Sequence, residues 1–106
     1  VLYHGSQSTA GHYLKEDLGA LATQHDNFQY FPCVSRQTEP EGYRRGRADD
    51  LAFADHANLK GWRVYLCGYP PMVHSAQARA ISAGAHIGDI FTDPYELKDL
   101  RKEPRD

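Results

Sequence analysis

The alternation of hydrophobic and polar positions along this chain predicts short strands separated by amphipathic helices. The apolar residues of 1–4 predict a first strand. Leucines that recur at three- and four-residue spacing predict a helix over 11–24 with one buried face. Aromatic and branched residues predict a second strand over 28–35. Pro32 within it favours an edge position, because a missing N–H costs least there.

The second half of the chain continues this alternation. Proline, glycine and charged residues over 36–47 predict a loop, and a short helix is expected over 48–57. The nearly continuous apolar run of 61–68 is typical of a strand that is buried on both faces. A helix over 70–84 and a last strand over 86–91 complete the pattern.

Proline and glycine mark the ends of the predicted helix over 70–84. Pro70 or Pro71 suits its first turn, and Gly84 suits a left-handed C-cap. Its inner face is predicted from an apolar stripe of Val73, Ala76, Ala80 and Ile81. Because strands alternate with helices, we predict an α/β fold with three layers, in which a parallel sheet of about four strands carries helices on both faces.

Composition and charge narrow the classes of protein. The 106 residues suffice for one small domain, and the formal net charge of −2 argues against a nucleic-acid binder. No apolar run approaches the roughly 20 residues that a membrane span needs, and no secretory leader is visible. We therefore expect no membrane span and a cytoplasmic location.

The cysteines and histidines indicate neither a disulfide framework nor a metal site. Cys33 and Cys67 each stand near the end of a predicted strand, and two reduced thiols are the usual state in the cytosol. A thiol-based redox pair stays open as an alternative. The six histidines show no zinc-ligand spacing and there is no CxxC, so no metal site is predicted.

The junction "YLCGYPPMV" is the segment most suggestive of function. A thiol and a glycine, Cys67 and Gly68, stand where a strand gives way to a helix that begins near Pro70. Such junctions commonly bind a phosphate or a cofactor. The structural alternative is a buried cysteine followed by an ordinary glycine turn.

Several blocks of the sequence carry a family resemblance. Cys67, Gly68, Pro70 and Met72 fit C-G-x-P-x-M, and "LYHGSQS", "DNFQYFPCVSR" and "GDIFTDPY" occur around them in a consistent order. The chain thereby resembles the nicotinamide-nucleotide domain of the ferredoxin–NADP reductase family, which includes oxygenase reductase components and flavin reductases. The resemblance covers 1–95, as an NAD(P)-binding domain, and leaves 96–106 as a charged tail.

The resemblance implies roles for residues of the C-G-x-P-x-M turn. Cys67 would lie beside the nicotinamide ring as a small polarisable contact, and Gly68 would let the backbone approach that ring. Pro70 would fix the start of the helix, and Met72 would pack beneath the turn. Tyr95 would stack on the flavin, as the closing aromatic residue of many members does.

The resemblance also implies an adenosine subsite near the end of the second predicted strand. Ser35 and Arg36 resemble the pair that binds the adenosine 2′-phosphate in NADPH-using members, since arginine grips phosphate with two hydrogen bonds. Gly5 would lie at the turn after the first strand. Further stacking and charge would come from Tyr43, Arg44 and Arg45. The choice between NADH and NADPH stays open.

The family pattern has parts that this sequence does not show. They are a first, central strand, a glycine-rich turn for the pyrophosphate, and a barrel that binds FAD or FMN. The resemblance implies a reductase that passes hydride from NAD(P)H to the flavin and electrons to an iron–sulfur protein or another acceptor. We expect the isolated chain to be inactive, and either a weakened monomer or a homo-oligomer that fills the gap in the sheet. The alternative is a non-catalytic nucleotide-binding or interaction module with the same fold.

Overall fold

The computed structural model describes residues 1–12, 14–38 and 41–94. The described strands are β1 (Leu2–Ser6), β2 (Tyr30–Val34), β3 (Arg44–Arg45), β4 (Val64–Gly68) and β5 (Ile90–Pro94). The described α-helices are α1 (Lys15–Gln24), α2 (Ala48–Asp55) and α3 (Pro70–Ser82). The chain divides into two compact units, Val1–His56 and Ala57–Asp106. The predicted tail lies outside the described residues.

Every described strand pairing is parallel, so the prediction of an α/β fold with parallel strands is confirmed. The predicted single sheet of about four strands is not confirmed, because the described strands are assigned to two sheets. Unit 1 holds a three-stranded sheet in the order β1-β2-β3, and unit 2 holds the pair β4-β5. A single sheet with helices on both faces therefore stays a prediction.

The extra strand, β3, lies in the segment predicted to be a loop. It pairs with the end of β2, where Arg45 is the partner of Val34, and the Gly46 N–H donates to the Val34 carbonyl at 2.8 Å. This pairing makes β2 the central strand, so the predicted edge position of Pro32 is wrong. The proline is tolerated because β3 begins only opposite Cys33, one residue further along β2.

Two elements of unit 1 contact β1 from different sides. An added Cβ on Gly5 would lie 3.0 Å from the Ala48 Cβ of α2, so this glycine allows close packing of the helix. The neighbouring residue His4, which points to the opposite face, packs against the ring of His12.

Helix α1 contacts β2 but contains no buried residue, and Leu21 is 45% exposed. Its predicted buried face is therefore wrong.

In unit 2, α3 packs on β4 and β5 much as its sequence predicts. It begins at Pro70, and Val73, Ala76 and Ala80 are buried. Ile81, assigned to the same stripe, is instead 44% exposed. The helix ends before Gly84, whose φ of +105° is left-handed as expected. In the described part of the chain, no helix combines the length and hydrophobicity that a membrane crossing requires.

Candidate functional site

The turn after β4 presents its thiol to solvent. Cys67 is exposed, is not part of a disulfide, and lies one residue before the end of the strand. Gly68 is buried with φ +138°, a conformation that residues with a Cβ rarely adopt. A Cβ built on Gly68 would lie 3.0 Å from the methyl group of Met72. The turn therefore combines a close-packed backbone with an accessible sulfur atom.

An open pocket of about 210 Å³ adjoins this thiol within unit 2. Its lining comes from both strands: Tyr65, Leu66, Cys67, Phe91, Thr92 and Asp93. The Tyr65 and Phe91 rings stack with centroids 5.1 Å apart, and Tyr65 is 71% exposed. The prediction that this strand is buried on both faces is thus wrong. The stack was missed, although the period of two already places Tyr65 on the face of Cys67.

The end of β2 holds the predicted phosphate-binding pair in a defined backbone. The Ser35 N–H donates to the Ser6 carbonyl and the Arg36 N–H to the Gln7 carbonyl, each at 3.0 Å. The Arg36 side chain is exposed, and no ion pair is formed by it within the described ranges. A hydroxyl and a guanidinium are therefore available beside each other at the carboxyl end of this strand.

Tyr43 lies beside a second open pocket, of about 400 Å³, in unit 1. The pocket is lined by polar and aromatic residues: His12, Lys15, Glu16, Asp17 and Tyr43. The Lys15 ammonium lies 5.0 Å from the centroid of the Tyr43 ring. Tyr43 is thus half-buried and held by a cation–π contact, which the sequence pattern did not indicate.

His12 ties the turn before α1 to the sheet. Its ring is 7% exposed, and its Nε2–H donates to the Cys33 carbonyl at 2.9 Å. Its Nδ1 has no hydrogen-bond partner among the described residues. Its ring meets those of His4 and Tyr43 edge-on, at centroid distances of 4.6 and 5.2 Å. His12 therefore packs against Tyr43 as well as bonding to the sheet.

The burial of His4 predicts a pH dependence of stability. Desolvation by burial, followed by the nearby His12, lowers the pKa of His4 below its ordinary value. A folded-state pKa below the unfolded one gives stability that is present above about pH 6.5 and is lost as the pH falls through the folded value. We expect the free energy of unfolding to decline from pH 7 to pH 5, and His4→Gln to reduce that decline. Denaturant titrations across this range measure it, with exposed His25→Gln as the control; an unchanged slope in His4→Gln contradicts the assignment.

Arg44, predicted to contact the cofactor, is engaged within unit 1. Both of its terminal nitrogens donate to the Asp55 carboxylate, and its guanidinium lies 5.6 Å from the Phe31 ring centroid. Tyr3 donates to the same carboxylate at 2.6 Å. Hydrogen bonds from Arg44 first and Tyr3 second lower the pKa of Asp55 to about 2. Burial first and Asp55 second raise the pKa of Tyr3 to about 12.

The remaining predicted site residues divide between the two units. Ser35, Arg36, Tyr43 and Arg44 lie in unit 1, whereas Cys67, Gly68, Pro70 and Met72 lie in unit 2. Gly5 lies inside β1 rather than in a turn after it, and its missing side chain serves contact with α2. Tyr95 lies outside the described residues. No three His, Cys, Asp or Glu side chains gather into a metal-binding group in the described part.

Comparison with known proteins decides the family. The profile of the oxidoreductase NAD-binding domain matches residues 1–78. The chain belongs to this oxidoreductase NAD-binding family. The predicted resemblance is thereby confirmed, and a NAD-binding domain needs a nicotinamide nucleotide as its cofactor.

Relatives of this NAD-binding domain are reductase components. It is 36% identical over 94 residues to the ferredoxin–NAD(P)⁺ reductase component of the naphthalene 1,2-dioxygenase/salicylate 5-hydroxylase systems of Ralstonia sp., covering 89% of this chain and 29% of that protein. It is 31% identical to the propane 2-monooxygenase reductase component of Gordonia sp., covering 88% and 28%. The crystal structure of the Amycolatopsis reductase GcoB matches with a TM-score of 0.81 and 28% identity, covering 88% of this chain and 28% of that one. The domain thus spans under a third of the length of each of these three proteins.

Proposed function

We propose that this NAD-binding domain serves a reductase that passes hydride from NAD(P)H to a flavin and single electrons onward to an acceptor protein. One observation carries the proposal. The exposed Cys67 thiol stands at the carboxyl end of β4, beside an open pocket and a turn whose backbone only glycine fits. Ligands of open parallel sheets bind at this end of the strands.

The geometry of the turn suits a flat ring. Gly68 lets the backbone turn at a φ of +138° directly after Cys67, which would bring the turn close to such a ring. Cys67 supplies a small polarisable contact rather than a nucleophile. The bound nicotinamide supplies the hydride, and these residues orient it and exclude water. FAD or FMN would be held by another part of the longer reductase.

In unit 1, Ser35 and Arg36 recognise the adenosine end of the cofactor. A hydroxyl donor and a guanidinium suit a 2′-phosphate, which an acidic residue at this position would repel. Both backbones are fixed by hydrogen bonds to the residues that end and follow β1. NADPH is therefore the preferred donor under this proposal.

The test of the nicotinamide subsite uses Cys67→Ala. In a chimera that carries residues 1–94 in place of the matching segment of GcoB, we expect the variant to slow flavin reduction by NADPH about tenfold, since misplacing a reacting ring lowers the rate steeply. Stopped-flow absorbance of the flavin measures the rate. Cys33→Ala, which removes a buried thiol in the other unit, is the matched control.

Two outcomes of this experiment contradict the proposal in different ways. Equal flavin reduction rates in Cys67→Ala and the parent chimera would remove Cys67 from the site. A correctly folded chimera that binds flavin but is not reduced by NADPH or NADH would favour a non-catalytic nucleotide-binding module.

Association between copies of this chain is not supported by the described residues or by the relatives, and it stays a prediction.

A further inference from the structure

Asp55 connects three elements of unit 1. It is the last residue of α2, and its carboxylate accepts hydrogen bonds from Tyr3 in β1 and from Arg44 in β3. An acidic side chain at the C-terminus of a helix is opposed by the helix dipole. The position of Asp55 therefore depends on its partners outside the helix.

The partners of Asp55 form a continuous stack on one face of the sheet. The Tyr3 and Phe31 rings are stacked with centroids 5.0 Å apart and planes inclined by 27°. Arg44 lies in β3, on the side of β2 away from Tyr3, and its guanidinium lies over the Phe31 ring. Both hydrogen-bond donors to Asp55 are thus oriented by one ring, Phe31, on the central strand.

The strand that carries Arg44, β3, is too short to keep its position by backbone pairing alone. β3 consists of Arg44 and Arg45 alone. Pairs of short strands are marginal without tertiary support, so the position of β3 depends on contacts of its side chains. Since neighbouring residues of a strand point to opposite faces, fixing Arg44 on one face presents Arg45 on the other. Arg45 is exposed, and its partner in β2 is Val34. Val34 is the residue immediately before Ser35 and Arg36.

We propose that Asp55 is a positioning residue that anchors Arg44 and thereby places Arg45 beside Ser35 and Arg36 as a second cation for an adenosine 2′-phosphate. This inference rests on the proposed function. It changes the predicted role of Arg44 from cofactor contact to support, and it assigns that contact to Arg45. Through the hydrogen bond between Tyr3 and Asp55, β1 and α2 would also contribute to the selectivity for the 2′-phosphate.

Two nucleotides that differ only in the 2′-phosphate test the inference on the 106-residue chain. Adenosine 2′,5′-bisphosphate and 5′-AMP are titrated separately, and amide NMR shifts of Ser35, Arg36 and Arg45 report each dissociation constant. We expect Asp55→Asn to weaken the bisphosphate about fivefold, the size expected when an exposed ion pair is lost. Affinity for 5′-AMP should change less than about twofold. The ratio of the two constants is decisive, because partial unfolding would weaken both ligands alike.

Three further variants keep the test decisive. Tyr3→Phe retains the ring stack but removes one hydrogen bond, so it should lower the ratio about twofold even if Asp55→Asn fails to fold. Asp55→Glu, which keeps the charge, should restore most of the ratio. Arg47→Gln removes another arginine–aspartate pair of the same unit, Arg47–Asp49, in which the arginine is exposed, and it serves as the control for loss of an ion pair.

The outcomes separate this inference from the proposed function. A parent chain that prefers the bisphosphate, with an unchanged ratio in folded Asp55→Asn or in Tyr3→Phe, overturns the positioning role alone. A parent chain that does not distinguish the two nucleotides overturns 2′-phosphate recognition and the positioning role together, while leaving the nicotinamide subsite to its own test.

Discussion

Arg36→Asp is expected to abolish the proposed preference of this chain for a 2′-phosphorylated nucleotide, with a loss of about 100-fold in affinity for adenosine 2′,5′-bisphosphate. Two effects add in the same direction. The variant loses a charge-assisted, two-pronged interaction, worth about 1.5–3 kcal/mol. It also places a carboxylate where the phosphate would bind. Because Arg36 is exposed, the change should leave the fold intact.

The same NMR titration measures this loss, and 5′-AMP gives the internal reference. Affinity for 5′-AMP should stay within about twofold of the parent value, because its 2′-hydroxyl is uncharged and forms no ion pair with Arg36. Arg63→Asp alters the net charge equally at an exposed position of unit 2 and is the matched control. Equal bisphosphate affinities in Arg36→Asp and Arg63→Asp would show that Arg36 does not hold the phosphate.

Gly68→Ala is expected to destabilise unit 2 by about 2 kcal/mol, because a Cβ is disfavoured at a φ of +138°. The added methyl group would also lie 3.0 Å from the Met72 methyl, but that contact involves the end of a flexible side chain. The backbone conformation should therefore dominate the loss. Amide hydrogen exchange at Val73 and Ala76, which are buried in α3, measures the stability of this unit by itself.

A second substitution separates the backbone effect from the contact. In a Met72→Ala background the cost of Gly68→Ala should persist, because removing the methionine does not relax the backbone. His74→Ala, at an exposed position of α3, should change the exchange rates little and serves as the control. If Met72→Ala cancelled the destabilisation, side-chain contact rather than φ would be its cause.

Local signals in the sequence were sufficient for much of unit 2. Pro70 starts α3 and Gly84 follows its end because proline and glycine restrict or permit particular backbone angles wherever the chain places them. The same reasoning failed for Ile81 and Tyr65, which are exposed. Periodicity states which residues share a face, but it does not state whether another element covers that face.

Motifs singled out Ser35, Arg36 and Cys67 as site residues, and the structure places each at or just beyond the carboxyl end of a strand. Their roles in binding stay predictions. His12 and Asp55 were missed as partners of the site because their contacts are not local. Asp55 meets Tyr3 across 52 positions of the chain, and no pattern in the sequence pairs them.

The sequence by itself determined the alternation of parallel strands and helices and the glycine turn behind the thiol, since both follow from periodicity and backbone geometry within a few residues. Only the tertiary structure decided that β3 exists, that β2 is central, and that Arg44 is bound by Asp55 while Arg45 is exposed. These features depend on contacts between distant segments. Their free energies arise from which surfaces meet, and a linear pattern does not specify that.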